Sequence, residues 1–383
     1  DPGKPIVFTN SCLPATTGED VMSVLRLYRE RAPMSVVSHN RAAPDMDEDM
    51  PSALLEGLRP AVRPAKGRRD PNGINLIGFP RDRTLDELEK LLGGLGLRIN
   101  AAVLPEMRSE ELARFGRASL NVFHHANRFW EEAFRELAEG HPIPALHPPT
   151  PHGVEGTRRW LEAVADATGR RNRFRKAWKR SSEPLRAEWR SLTREARNFF
   201  VGLVLRPCDL ECVEDPALTN GVPLPSVLAE IGFGLVVWVR AAGDELAALR
   251  ARIEALVPPG HRGRCRVVGF DDLAGLRRAL REDPAAAVLS NHTFDWRLSE
   301  AGKNRISQRH FEKGLEGAIR TARRLVDVCR IPFARRYARY LVRDELGRRR
   351  HGPDGSGARA HSPGSAGLRG APTGRHQGGQ GRG

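Results

Sequence analysis

Four short segments carry side chains whose type and setting could do chemistry. In Asn10-Ser-Cys12-Leu-Pro14-Ala-Thr-Thr-Gly18-Glu-Asp20, a cysteine falls between a predicted strand and a predicted helix. A thiol there feels the positive end of the helix dipole, which favours the thiolate, and it points at a ligand crevice. Cys12 is therefore a nucleophile, a metal–sulfur ligand or an inert buried thiol. No other cysteine lies within 190 residues of it. An iron–sulfur cluster usually takes four thiolates, so Cys12 could supply only one of them. In Asn121-Val-Phe-His124-His125-Ala-Asn127-Arg128, two histidines at a strand end could ligate a metal, handle protons or form a satisfied surface pair. In Arg206-Pro-Cys208-Asp-Leu-Glu-Cys212 the spacing is not that of the familiar zinc pairs, and no second pair accompanies it. Ser290-Asn291-His292 is polar and follows the last predicted strand.

The elements that must position these residues alternate. Strands are expected over residues 5–9, 34–38, 74–78, 97–104, 119–123, 199–205, 235–239, 264–268 and 286–290. Between them fall helices over 17–31, 84–94, 109–115, 128–138, 155–168, 223–231, 244–256, 271–280 and 311–328. The Pro-rich loop 141–151 contains a further short strand. Thr84-Leu-Asp-Glu87 has the spacing of a capping box. Strand–helix alternation implies parallel sheets with right-handed crossovers, repeated in separate units, and ligands bind beyond the carboxyl ends of such strands. The expected partition is a first α/β unit at residues 1–58, a linker at 59–73 and a second α/β unit at 74–169. A basic helical linker follows at 170–198, then a third α/β unit at 199–345 and a tail at 346–383.

Composition narrows the function. The chain has 383 residues, with 40% apolar and 28% charged residues, enough for real cores. Its apolar stretches at 199–205 and 232–239 are far shorter than the roughly 18–20 residues of a membrane span. The first residues have neither a basic nor an apolar leader segment, so no signal peptide is expected. Five scattered cysteines do not make a disulfide framework and fit a reducing cytoplasm. The formal charge of +15 suggests nucleic acid, but its location argues against it. Residues 158–197 hold thirteen basic and five acidic side chains, and the tail holds seven Arg against one Asp, which leaves the remainder near neutral. The basic stretch reads as a solvated helical linker, or as contact with an acidic protein partner. The tail has 12 Gly in 38 residues and no apolar periodicity, the composition of a disordered segment or of a gene read out of frame. Dinucleotide and phosphate-loop fingerprints are missing, so neither ATP nor NAD is expected on this chain.

Taken in order, the motifs resemble one family, the component 1 (molybdenum–iron protein type) subunits of nitrogenase and nitrogenase-like reductases. They are Pro5-Ile-Val-Phe-Thr-Asn-Ser-Cys12 with Gly18-Glu-Asp20-Val, Ile74-Asn-Leu-Ile-Gly78, Ile99-Asn-Ala-Ala-Val-Leu-Pro105-Glu, Ser119-Leu-Asn-Val, Pro142-Ile-Pro144, Gly153-Val-Glu-Gly-Thr157 and Gly314-Leu-Glu-Gly-Ala318.

The resemblance implies repeated Rossmann-like domains of the nitrogenase component 1 type, paired with a second component 1-type subunit. An ATP-hydrolysing iron protein would deliver electrons to an iron–sulfur cluster, of [4Fe-4S] or [8Fe-7S] type, shared between subunits. From there they would reach a substrate, or an additional metallocofactor, held between domains. Cys12 matches the last cluster-binding cysteine, which implies two earlier ones upstream of Asp1 and an N-terminally truncated chain. His125 matches the family's cofactor-binding cysteine and Asn304 its cofactor-binding histidine. With both ligands replaced, a nitrogenase-like reductase subunit fits better than a dinitrogen-reducing one, and His125 could still coordinate a metal. His124, Asn127, Ser290, Asn291, His292 and Asn304 would line the cavity. The alternative in the same family is a non-catalytic scaffold for metallocofactor assembly. Neither reading involves nucleic acid or a membrane.

Overall fold

A computed structural model of the protein describes residues 6–10, 17, 19, 23, 34–38, 69–103, 106, 108–124, 143–290 and 295–341. Strands β1 (Ile6–Asn10) and β2 (Met34–Ser38) pair in parallel. Next come β3 (Gly73–Ile77), helix α1 (Arg83–Gly94), β4 (Arg98–Val103), α2 (Ser109–Arg114), β5 (Leu120–Phe123) and β6 (Ala145–Leu146). They form a four-stranded parallel sheet in the order β4-β3-β5-β6. Helices α3 (Gly153–Ala167), α4 (Arg171–Ser182) and α5 (Arg186–Ala196) lead to β7 (Phe200–Leu205), α6 (Leu224–Ile231), β8 (Gly234–Val239), α7 (Gly243–Leu256) and β9 (Cys265–Gly269). After them come α8 (Leu273–Glu282), β10 (Ala287–Leu289), α9 (Trp296–Glu300), β11 (Asn304–Ile306), α10 (Leu315–Arg330) and α11 (Phe333–Leu341). The second sheet has the order β11-β10-β7-β8-β9, again all parallel. The expected α/β architecture of repeated parallel sheets is therefore present.

Inner strands of the four- and five-stranded sheets are buried on both faces, as parallel strands covered by helices must be: every residue of β3, β5 and β8 is buried. β8 is buried at every position, and Trp238 on it is fully enclosed. Polar groups inside the first sheet are paired across strands. Asn100 donates to Asn75 Oδ1 at 2.8 Å, and Asn75 donates to Asn121 Oδ1 at 2.8 Å, so three adjacent strands share one amide ladder. The basic stretch is helical but does more than link. On α4, Phe174 and Ala177 enter the core of the four-stranded sheet, while on α5 Ala196 enters that of the five-stranded sheet. α10 joins both: Leu315 lies in the first core, and Ala322, Leu325 and Val326 lie in the second.

The start of α1 corrects the expected capping box. Asp82, not Thr84, caps the helix, its carboxylate accepting from Thr84 N at 2.8 Å. Thr84 is buried, and Glu87 turns away from its own helix to a distant one. Helix α10 begins at Leu315 rather than 311, and β11 and α9 were not expected.

The second sheet depends on a close approach at Gly202 of β7. A Cβ there would lie 2.1 Å from Trp238 Cζ3 and 3.2 Å from Val288 Cγ2. Gly202→Ala should cost about 1–3 kcal/mol of stability, as overpacking does in rigid cores, read as a lower denaturation midpoint in urea. An unchanged midpoint would show that the indole can move aside.

Candidate functional site

In open parallel sheets, ligands sit where the strand order reverses. In the four-stranded sheet that point is the carboxyl end of β3, which has β4 on one side and β5 on the other. In the five-stranded sheet it is the carboxyl end of β7, between β10 and β8. The loop after β7 runs to α6 and includes Gly221. A Cβ on Gly221 would stand 2.6 Å from Cε1 of His124, the residue that follows β5. The two sheets thus turn their ligand-binding ends toward each other. Gly221, at φ +78°, lets the loop come that close.

His124 is buried, and its ring meets Phe79 edge-on at 4.8 Å and lies 6.2 Å from the ring of His152. His152 is also buried, and its Nδ1 has no hydrogen-bond partner. Burial, and then the charge of Lys313, push the His152 imidazole down to about 3, against a hydrogen bond to the Gly221 backbone. It is therefore neutral at physiological pH and keeps a lone pair in the interior. Lys313 is itself held below the ordinary lysine range by burial.

His152 and Lys313 form an antiparallel bridge, and Gly314 N donates to Pro151 O at 2.8 Å. Each bridge residue is followed by the same pattern: Gly153-Val-Glu-Gly156 opens α3 and Gly314-Leu-Glu-Gly317 opens α10. Both helices receive a carboxylate from the opposite half. Glu230 of α6 accepts from Glu155 N at 2.8 Å at the start of α3. Glu87 of α1 accepts from Glu316 N at 2.7 Å and Gly317 N at 3.1 Å at the start of α10. A carboxylate there satisfies amides with no partner in their own helix and faces the positive end of the dipole. The leading glycines make room. A Cβ on Gly153 would fall 2.2 Å from Glu230 Oε2, and one on Gly314 would fall 2.5 Å from Glu87 Cδ.

A cleft of about 640 Å³ opens beside this crossing. Its walls carry Pro149, Pro216, Pro223 and Val227 with Thr150, His152, Arg159 and Glu230. Burial raises the Glu230 carboxyl to about 7, opposed by the backbone amides it accepts from. Glu155 on the same wall is held at about 2 by hydrogen bonds from Arg158 and Arg159, and stays charged. The cleft thus combines an apolar body with a neutral imidazole, a guanidinium and a carboxyl group that exchanges its proton near neutrality.

The other expected site residues are dispersed or lie outside the described residues. Cys12, His125, Asn127, Asn291 and His292 are among the latter; Cys12 follows two residues after the end of β1. Ser290 immediately follows β10, its hydroxyl donating to Asp295 at 3.3 Å. Asn304 opens β11 and is engaged: its amide donates to Val328 O and Ile331 O and accepts from Ala334 N at 2.9 Å. It fastens the turn between α10 and α11. Among the described residues no group of three or more His, Cys, Asp or Glu side chains is arranged to hold a metal. They do not by themselves hold an iron–sulfur cluster. Sequence reasoning missed Glu87, Glu230, His152 and Lys313. The twin G-x-E-G patterns were a visible signal that two helices begin alike.

Raised acid pKa values bind protons more tightly in the folded state, so Glu230 stabilises fully below about pH 4.5 and loses that contribution as pH climbs to about 7. Relative to wild type, Glu230→Gln should gain about 2–3 kcal/mol between pH 5 and pH 8, measured by denaturant unfolding. A flat difference would place Glu230 in water.

A family model described as Nitrogenase component 1 type Oxidoreductase matches residues 2–329. A curated relative, the light-independent protochlorophyllide reductase subunit N of Bradyrhizobium sp. (strain ORS 278), is 33% identical over 117 residues, 30% of this chain. The match spans about a quarter of that relative's length (26%). Two solved structures of nitrogenase Cp1, at pH 6.5 and pH 5, superpose with TM-scores of 0.60 and 0.58 at 12% and 13% identity. Each covers 87% of this chain, which covers 73% and 72% of theirs, and the likeness is one of fold. Among the described residues no helix is long and apolar enough to cross a membrane.

Proposed function

This chain belongs to the nitrogenase component 1 type oxidoreductase family, and we propose that it serves there as a subunit of a two-component, nitrogenase-like reductase. The observation that carries this reading is the meeting of two switch points at His124 and Gly221, beside a cleft able to take a ligand between two parallel sheets. On this reading residues 1–58, 74–169 and 199–345 are its three α/β domains, and it works in the cytoplasm. Its partners are a second component 1-type subunit and an ATP-hydrolysing iron protein. Cys12, just beyond β1, is one ligand of an iron–sulfur cluster shared with that second subunit. When bound, the cluster supplies electrons one at a time.

The chain's own residues do the rest. The prolines and Val227 keep water off a bound molecule, and Arg159 holds an acidic group on it. His152 offers a neutral nitrogen. Reduction consumes protons with electrons, and Glu230 is the cleft carboxyl that exchanges a proton near pH 7. On the same reading His125, outside the described residues, is a cofactor-binding residue, and Asn127, Asn291 and His292, also outside them, belong to the substrate cavity with His124 and Ser290. Asn304 acts as a positioning residue for the α10–α11 turn.

The test uses the complex of full-length subunit and partner, purified without oxygen. Iron should be present, and Cys12→Ser should remove most of it or change the cluster's electron paramagnetic resonance signal. The same iron content and an identical signal in the variant would overturn the assignment.

A further inference from the structure

Among the described residues, two exposed thiols remain outside this account. Cys208 and Cys212 are both free and exposed, on the loop that leaves β7, the central strand of the five-stranded sheet. The loop folds at once into helical turns, Pro207–Asp209 and Glu211–Glu214, with Asp209 N bonded to Arg206 O and Glu214 N bonded to Leu210 O. Leu210 and Val213 point into the core and are buried. Cys208 and Cys212 lie four residues apart along these two successive turns, both exposed while Leu210 and Val213 are buried, which puts both on the outward side of the loop. Two ion pairs fix this turn. Arg206 grips Asp209 through two bonds of 3.0 and 2.8 Å, and Glu214 is held by Arg252 of α7 at 2.8 Å. The Arg206 guanidinium interacts electrostatically with both sulfurs, which places one positive charge beside the pair.

The chemistry follows from the count and spacing of donors. Zinc and iron–sulfur centres take four ligands as a rule, and here two thiols stand without a third metal-binding side chain among the described residues. A direct disulfide needs Cβ atoms about 3.8 Å apart, whereas neighbours one turn apart are about 5–6 Å apart. A cation inserted between the sulfurs lengthens the bridge and removes the conflict. Thiolates select soft ions, and Cu(I) is the soft ion suited to a two-thiolate site.

We propose that Cys208 and Cys212 form a two-coordinate site for a soft monovalent cation, Cu(I), at the carboxyl end of β7. Binding releases two protons to solvent and forms two S–Cu bonds, with no change of oxidation state.

The experiment uses the full chain, reduced and free of oxygen, with Cu(I) held by a chromophoric chelator. Wild type should withdraw one Cu(I) per chain, Cys265→Ser should behave like wild type, and the Cys208→Ser/Cys212→Ser double variant should lose that equivalent. No withdrawal by wild type, or equal withdrawal by the double variant, overturns the proposal. A second readout needs no variant. Bound Cu(I) should shield Cys208 and Cys212 from alkylation, mapped by mass spectrometry; identical labelling with and without Cu(I) overturns it too.

Discussion

Two carboxylates, Glu87 buried and Glu230 partly buried, each reaching from one half of the protein into the start of a helix in the other, fix the relation between the two sheets. Glu87 leaves α1 to meet the amides of α10, and Glu230 leaves α6 to meet those of α3. A capping interaction of this kind is worth about 0.5–2 kcal/mol. Burial opposes it, as the raised pKa of both groups records. The arrangement gains more in specificity than in stability. A carboxylate stranded without its amides would be costly, so the helices have little freedom to slide or rotate. Arg320, bonded to Glu312 at 2.6 Å and lying 3.4 Å from Glu87, extends the same lock on one side.

The cleft follows from that lock. With α3 and α10 started back to back at the His152–Lys313 bridge, the carboxyl ends of both sheets face the same space. His124 and Gly221 can then touch, and the walls at Thr150–Gly156 and Pro216–Glu230 stand far enough apart for a small molecule. The capping carboxyl Glu230 also lines the cleft, so one side chain couples helix position to the proton state of the site.

Much of the fold was legible because it rests on local pattern. β7 and β8 are apolar runs of the right length, α1 has leucines at helical spacing, and Pro332 stops α10 two residues after its last turn. The short strand β11 was hidden because Asn304-Arg-Ile306 has no apolar run, and its place is set by pairing with β10. The capping box at Thr84–Glu87 was misread for a similar reason. The spacing was right, but Asp82 lay closer to the helix start and Glu87 had a better partner 229 residues away. Of the site, the strand-end position of His124 was readable, because strand ends can be read from the sequence. Its pairing with His152, and the arrival of Glu230, are contacts between distant segments that no local spacing encodes.

Amide hydrogen exchange, followed by mass spectrometry in the first turns of α3 and α10, tests the reciprocal lock most directly. Glu230→Ala should speed exchange around Glu155 while leaving Glu316 and Gly317 protected, and Glu87→Ala should do the reverse. Unchanged protection in both variants would mean that the two halves are held together by something other than these carboxylates.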